Sequence, residues 1–449
     1  MEDTLFPLPP AGEVRPSTGI GKPRVQRPNR QQLQWQVVDL DGLLAADHPA
    51  RLIWDFVQAL DLSALYQPIR AVEGQAGRDA IDPAILMALW LFATLQGVGS
   101  ARALDRLCAE HDAYRWLCGG VSVNYHTLAD FRVAHGEVLD ELLTKSVAAL
   151  IAEGLVSLER VAQDGKRVRA SAGSSSFRRR PKLEQALAEA KQQVEALRQE
   201  LETQPEATSK RQHAARERAV RERQERVAQA LHELEKLEEH REKQGTKYNQ
   251  AERNKSPRTS TTDPEAPRMK MADGGTRPAY NVQFSTDTAT QVIVGVDVNT
   301  HGSDKGCLGP MTEQIEQRYQ RLPAEALVDG GFVSLADFDA VQTKQTTVYA
   351  PVPKKRQPDQ DPYLPLPTDP PSIAAWRQRM ATALAQEIYK LRASTAECVN
   401  AIQTNRGLQA FRVRGLQKVK AVVLWFVLLH TLLRGHSLRL AAAQAASMG

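Results

Sequence analysis

Three carboxylates stand out by their surroundings. Asp164 lies in "VAQDGKRVRASAG", beside Lys166, Arg167 and Arg169; Arg178, Arg179 and Arg180 follow, and the next acid downstream is Glu184. Glu397, in "YKLRASTAECVNAIQTNRG", is the last acid of the chain: Arg406, Arg412, Arg414, Lys418, Lys420, Arg434 and Arg439 come after it, with no Asp or Glu among them. Asp329 ends the apolar run "ALVD" and is followed by two glycines. Taken singly, each Asp reads as a turn or cap residue and Glu397 as a solvated helix charge. An acid isolated in basic sequence either neutralises a neighbour or holds a divalent cation where phosphates arrive. Magnesium takes a few carboxylates plus water and substrate oxygens. Two such ions roughly 3.5–4 Å apart activate an attacking oxygen and stabilise a leaving one. Surrounding Lys and Arg then hold a polyanionic backbone that the acids alone would repel. The pattern therefore points to phosphate-ester chemistry.

The elements that must position these acids are legible in part. The 449 residues allow two or three domains, and 42% hydrophobic residues allow a core in most of the chain. The net charge of +5 is unevenly spread. Cys108, Cys118, Cys307 and Cys398 form no C-x-x-C pair, which argues against a zinc ribbon or a disulfide framework and fits a reducing compartment. The start has no secretory signal pattern. The apolar runs 84–95 and 421–433 fall short of the roughly 20 residues that cross a bilayer and read as core helices. No membrane partner is expected.

Residues 1–34, rich in Pro, Arg and Gln, read as a flexible basic arm. Residues 35–155 read as an all-α domain, with Asp47–Pro49 and Asp82–Pro83 as helix starts, Gly97 and Gly119 as stops, and 100–120 as one helix. At 157 the texture changes to strand alternation. Residues 182–245, with Leu183, Leu187, Ala190, Val194, Leu197 and Leu201 at helical steps and again Val227, Leu231, Leu234 and Leu237, predict an antiparallel coiled-coil hairpin. Two alternating runs around Asp287–Thr290 predict a β-hairpin. The order from 157 to 405 is β, insertion, β, β, α, β, α, β, α, which predicts an α/β domain (156–440) around a mixed sheet flanked by helices. In such sheets ligands collect at the carboxyl ends of strands.

The segments "VAQDGKRVRASAG", "MKMADGGTRPAYNVQFSTDTATQVIVGVDV", "LVDGGF" and "IYKLRASTAECVNAIQTNRGLQAFRVRGLQKVKAVVLWFVLLHTLLR" resemble bacterial insertion-sequence transposases of the DDE class. "GRDAIDPAILMALWLFATLQGVGSARALDRLCAEHDAYRWLCGG" is similar to their InsH-like helical N-terminal domain. The resemblance runs from about 35 to 440. It implies an RNase H-like core that binds Mg²⁺, or Mn²⁺, through Asp164, Asp329 and Glu397, with no organic cofactor. It implies double-stranded DNA partners, the element's terminal inverted repeats and a target, and a homodimer or larger synaptic assembly in the bacterial cytoplasm at the nucleoid. The family's Tyr and Arg before the third acid fall on Tyr389 and Arg392.

Arg167, Arg169, Tyr389, Arg392, Arg406, Arg412, Arg414 and Lys418 are the expected DNA contacts. Arg392 lies about 140° round an ideal α-helix from Glu397, so it is assigned to a phosphate rather than to a local ion pair. Asn400, Ala401 and Thr404 share the face of Glu397. Many relatives carry Lys seven residues after the glutamate, where this chain has Thr404; Asn405 or Arg406 would substitute. The resemblance gives Asp304 a substrate-side role, and Asp297 reads as a sheet-surface residue. "NYHTLADFRVAH" reads either as a DNA-reading helix or as a bundle helix with exposed Arg132, and Trp376 and Trp425 read as core. The rival functions are an end-binding protein without catalysis, a structure-specific nuclease and a coiled-coil scaffold.

Overall fold

The computed structural model describes residues 39–71, 79–203, 210–244, 256–354 and 361–448. The expected arm at 1–34, the break at 204–209 inside the hairpin and the hairpin's last expected residue, 245, lie outside them.

The N-terminal region is helical: α1 (Pro49–Ala59), α2 (Ser63–Tyr66), α3 (Pro83–Leu95), α4 (Ala101–Glu110), α5 (Asp112–Cys118), α6 (Tyr125–Ala134) and α7 (Gly136–Ala152). A proline at the first helical position lacks only an N–H that would go unbonded anyway, so the residue just before it becomes the cap. Asp82 fills that place for α3 and accepts from Ala84 N at 2.8 Å. For α1 the cap is His48, whose Nδ1 accepts from Ala50 N at 3.1 Å; Asp47 stands one position too early. The stretch expected as one helix breaks at His111, which turns extended and caps α5 through Ala113 N at 3.2 Å. Helix α3 is buried from Pro83 to Thr94 on every side, as an all-apolar helix must be.

The sheet is built from β1 (Arg160–Arg169), β4 (Arg268–Lys270), β5 (Thr276–Asp287), β6 (Ile293–Asn299), β7 (Glu325–Leu327) and β8 (Thr347–Tyr349), while β2 (Phe177–Arg178) and β3 (Thr259–Ser260) form a separate two-stranded ribbon. The path β4-β5-β1-β7-β8 carries β6 beside β5 as well. Strand β5 runs antiparallel to β1 and β6 antiparallel to β5, whereas β7 and β8 run parallel to β1. The expected mixed α/β sheet is therefore present, and its order is consistent with an RNase H-like core. Helices α10 (Leu308–Tyr319), α11 (Leu335–Thr343) and α12 (Pro371–Met380) pack around it, and Trp376 is fully buried.

Between β2 and β3 the chain leaves as α8 (Arg180–Thr203) and returns as α9 (Lys210–Gln244). Arg180 pairs with Glu238, Arg223 donates to Gln193 at 2.9 Å, and Arg216 meets Glu200 at 3.8 Å, so the two helices are antiparallel. Their buried seam is thin: Leu183, Ala190, Val227, Ala230 and Leu234. At the root, β2 and β3 pair through Phe177–Ser260 and Arg178–Thr259.

The last helix, α15 (Leu416–Met448), is 33 residues long and joins the helical region to the sheet by packing on α3, α6, α7 and β6. Asp263 and Glu265, from the segment after the hairpin, accept from Gly415 N at 3.1 Å and Leu416 N at 2.8 Å. Acids at a helix N-terminus offset its partial positive charge. The helix far exceeds the apolar run 421–433 expected from sequence, because "RGHSLRLAAAQAASM" continues it. By length and composition Leu416–Ser447 is able to cross a membrane, yet 67% of its most apolar window is buried inside the protein.

Candidate active site

Asp164 sits midway along β1, between β5 and β7, with its side chain 19% exposed. Gly165 follows because a methyl group there would collide with Asp304 and Gln283. Asp164 Oδ1 accepts from Gly165 N at 2.9 Å, and its Oδ2 accepts from Asn400 Nδ2 at 2.9 Å. Asp329 stands just beyond β7 and caps the turn Gly330–Phe332, its Oδ1 accepting from Gly331 N at 2.8 Å. Asp304 reaches in from the loop after β6, accepting from Asn281 Nδ2 at 2.7 Å and Gln283 Nε2 at 2.6 Å.

Charges this close perturb one another. The Asp164 carboxyl is pushed up to about 6: burial is the largest cause, the Arg392 guanidinium opposes it, and the charges of Asp329 and Asp304 add to it. Burial also lowers the Lys166 ammonium, with Asp164 pulling the other way.

The helix side is α13 (Ala383–Arg392), a π turn at Ala393–Glu397, and α14 (Cys398–Asn405). The π turn overturns the assignment of Arg392 to a phosphate alone. Its wider i to i+5 winding removes the angular gap of an ideal α-helix, and Arg392 Nη2 donates to Glu397 Oε1 at 3.1 Å. Arg392 Nη1 also lies 4.0 Å from Asp164 Oδ2. Arg392 is 14% exposed and Glu397 62%, so a buried guanidinium spans from the strand acid to an exposed helix acid. Tyr389 is half-buried beside Arg392, and burial raises its phenol despite that cation.

Asp164 on β1 and Asp329 just beyond β7 thus lie close enough for their charges to interact, while Glu397 is linked to Asp164 through Arg392. Among the described residues no group of three or more His, Cys, Asp or Glu is close enough to hold one ion as the side chains stand. The donor set nonetheless suits a hard cation. Its groups are carboxylates, and Asn281 Oδ1 and Asn400 Oδ1 are buried near them without a hydrogen-bond partner.

The other expected residues divide. Arg167 holds the loop, donating to Gly302 O at 3.0 Å and Asp304 at 3.4 Å. Asp304 is 7% exposed, so it is no substrate-facing surface residue; it belongs to the buried acid cluster. Asp297 pairs with Lys420 at 2.9 Å on an outer strand. Arg169 and Arg412 are exposed and Arg406 is half-buried, all lining a different cavity. Arg414 and Lys418 are exposed, with Arg414 Nε donating to Ser171 O at 3.3 Å. In α6, Arg132 is buried at 7% exposure, contrary to the bundle-helix expectation, because its guanidinium lies 4.5 Å from the ring centre of Trp90.

Two contacts escaped the sequence reading. Asn400 anchors Asp164, although only its helix face was legible. Lys166 Nζ bonds Thr404 Oγ1 and approaches Asn400 O at 3.5 Å. An ammonium from β1 therefore stands at the helix position where a lysine was missing. The available signal was strand alternation, which puts Lys166 on the same face as Asp164.

Residues 38–134 match the family model of a transposase domain (DUF772), and residues 244–432 match that of the transposase DDE domain. The second match contains Asp304, Asp329 and Glu397 and begins after the strand that carries Asp164. No curated protein and no solved structure matches the chain. The sheet order and the two matched segments lead to one conclusion: the chain belongs to the insertion-sequence DDE transposases.

Proposed function

We propose that this transposase cuts the ends of its mobile element and joins the freed 3′-hydroxyls to target DNA by transesterification. The observation that carries the reading is the approach of Asp329, just beyond β7, and of Arg392-bound Glu397 to Asp164, midway along β1, beside Asn400 and Lys166. Asp164 and Asp329 would hold a divalent cation, Mg²⁺ or Mn²⁺, with Glu397 added once it leaves Arg392. When bound, such ions activate the attacking oxygen and offset charge on the phosphorus.

The chain's own groups do the rest. Asn400 orients Asp164 through its 2.9 Å bond. Displaced from the carboxylates, Arg392 becomes free to donate its planar fork to a phosphate. Lys166, between β1 and α14, supplies a second cation close to the scissile group. Two element ends must be cut together, so the reading includes a dimer or larger assembly, and the hairpin α8–α9 is its candidate clamp.

The test is strand nicking of duplexes carrying the element's ends, with Mg²⁺ or Mn²⁺, followed by a strand-transfer assay. The wild type nicks and joins; Glu397→Gln binds and does neither. Binding without nicking by either protein would make the chain an end-binding protein. Nicking without joining would make it a nuclease.

A further inference from the structure

A second concentration of charge lies away from the acids. Where the turn after α3, helix α6 and the segment after α14 meet, a cavity of 310 Å³ is lined by Arg132, Arg169, Arg406 and Arg412. Among the described residues no Asp or Glu lines it. Arg132 and Arg406 form the inner part and the exposed Arg169 and Arg412 the rim. The partners of the inner pair are neutral. Arg132 Nη1 donates to Gly99 O at 2.6 Å, and Arg406 Nη1 lies 3.4 Å from His430 Nδ1. Burial lowers the His430 imidazole to about 4, so it carries no charge at neutral pH. Arg132 Nε is buried with no hydrogen-bond partner. Burial, and then the charge of Arg412, push the Arg132 guanidinium down to about 10.

The cavity is a built feature. Gly97 (φ 70°) and Gly407 (φ 98°) pack backbone to backbone: a Cβ at Gly407 would lie 3.4 Å from Gly97 O. That close approach lets Arg132, from the helical region, and Arg406, from the end of the Glu397 helix, face one space. Like charges gathered there raise the energy of one another until an anion enters. All four cations are Arg, whose planar forks match phosphate oxygens.

We propose that this cavity receives one phosphate group of the DNA backbone and so ties the helical region to the catalytic core. The inference rests on the reading of the chain as DNA-acting for the source of that phosphate. Arg169 lies five residues beyond Asp164 on β1, about 17 Å along the strand. Arg406 lies nine residues beyond Glu397, about 14 Å along its helix. Those lengths correspond to about four or five base pairs of duplex rise.

The experiment uses the full chain without divalent metal, a duplex of arbitrary sequence and, separately, inorganic phosphate. Arg132→Met is the direct variant but removes a buried packing group, so the pair Arg406→Gln/Arg412→Gln and the rim variant Arg412→Gln alone accompany it. Expected in the pair is a slope of log affinity against log salt shallower by about one, with phosphate raising the melting temperature of the wild type and not of the pair. If the pair melts early without ligand, the slope of exposed Arg412→Gln alone decides by the same criterion. Phosphate protection with an unchanged slope would show a site for the free anion and overturn the DNA assignment. An unchanged slope without phosphate protection would overturn the site itself. Because no metal is present, nicking defects leave this result untouched, and a failure here leaves the nicking test standing.

Discussion

On the sheet side of the acid cluster, Asp164 is fixed: it is 19% exposed, flanked by strands, and bonded to Gly165 N and Asn400 Nδ2. On the helix side, Glu397 is 62% exposed and tied to the cluster by the single residue Arg392. The strand acid carries the electrostatic cost of burial, whereas the helix acid stands largely in solvent. A site built this way keeps one half assembled and completes the other half when cation and DNA compete with the guanidinium.

The sharpest way to break this contrast is to remove either acid. Asp164→Asn and Glu397→Gln should each lower strand cleavage by about 10⁴-fold or more, the scale on which one member of a concerted catalytic set is lost. Activity surviving Glu397→Gln but not Asp164→Asn, read in a nicking assay, would remove the helix from the site.

Stability should report on the strand acid. In the folded protein burial raises the Asp164 carboxyl to about 6 from its ordinary 3.8. The native state therefore binds that proton more tightly, and stability falls as pH rises from about 4 through 6. Above both values the deficit is about 3 kcal/mol. Metal-free Asp164→Asn should thus unfold at higher denaturant than wild type at pH 8 and lose that advantage near pH 4. A divalent cation should raise the melting point of the wild type but not of Asp164→Asn.

Smaller effects sharpen the role of the cation between strand and helix. Lys166→Thr should cost about 10–100-fold in cleavage, the range typical of groups that support a metal site. Restoring the charge from the other side, as Lys166→Thr with Thr404→Lys, should recover most of it. A double variant no better than the single one would show that the ammonium's origin on β1 matters. The smallest effect on the core should come from Leu234→Ala in the hairpin. Its seam is a satellite cluster separate from the main core, so far-ultraviolet signal from α8–α9 should soften while the sheet's melting stays in place.

Much of the sheet was readable because alternation and glycine placement are local signals. The acids on β1 and after β7 came with it, as did β5 to β8, whereas the β2–β3 ribbon at the root of the hairpin and the short β4 did not. What escaped depends on distant partners. The burial of Arg132 needs Trp90, and the place of Asp304 needs Asn281, Gln283 and the bare Cα of Gly165. The π turn escaped for another reason. "ASTAE" contains nothing hostile to an ordinary helix, so no residue in it announces the extra winding.

That turn fixes the phase of everything beyond it. Ala393–Glu397 holds one residue more than an α-helical path of the same advance would need. Wound as an ordinary α-helix, the same residues would set Arg392 about 140° from Glu397, whereas deleting Ser394 would make the two an i and i+4 pair about 40° apart and keep the guanidinium beside the carboxylate. The wider winding thus absorbs one surplus residue so that the acid and its basic neighbour still share a face.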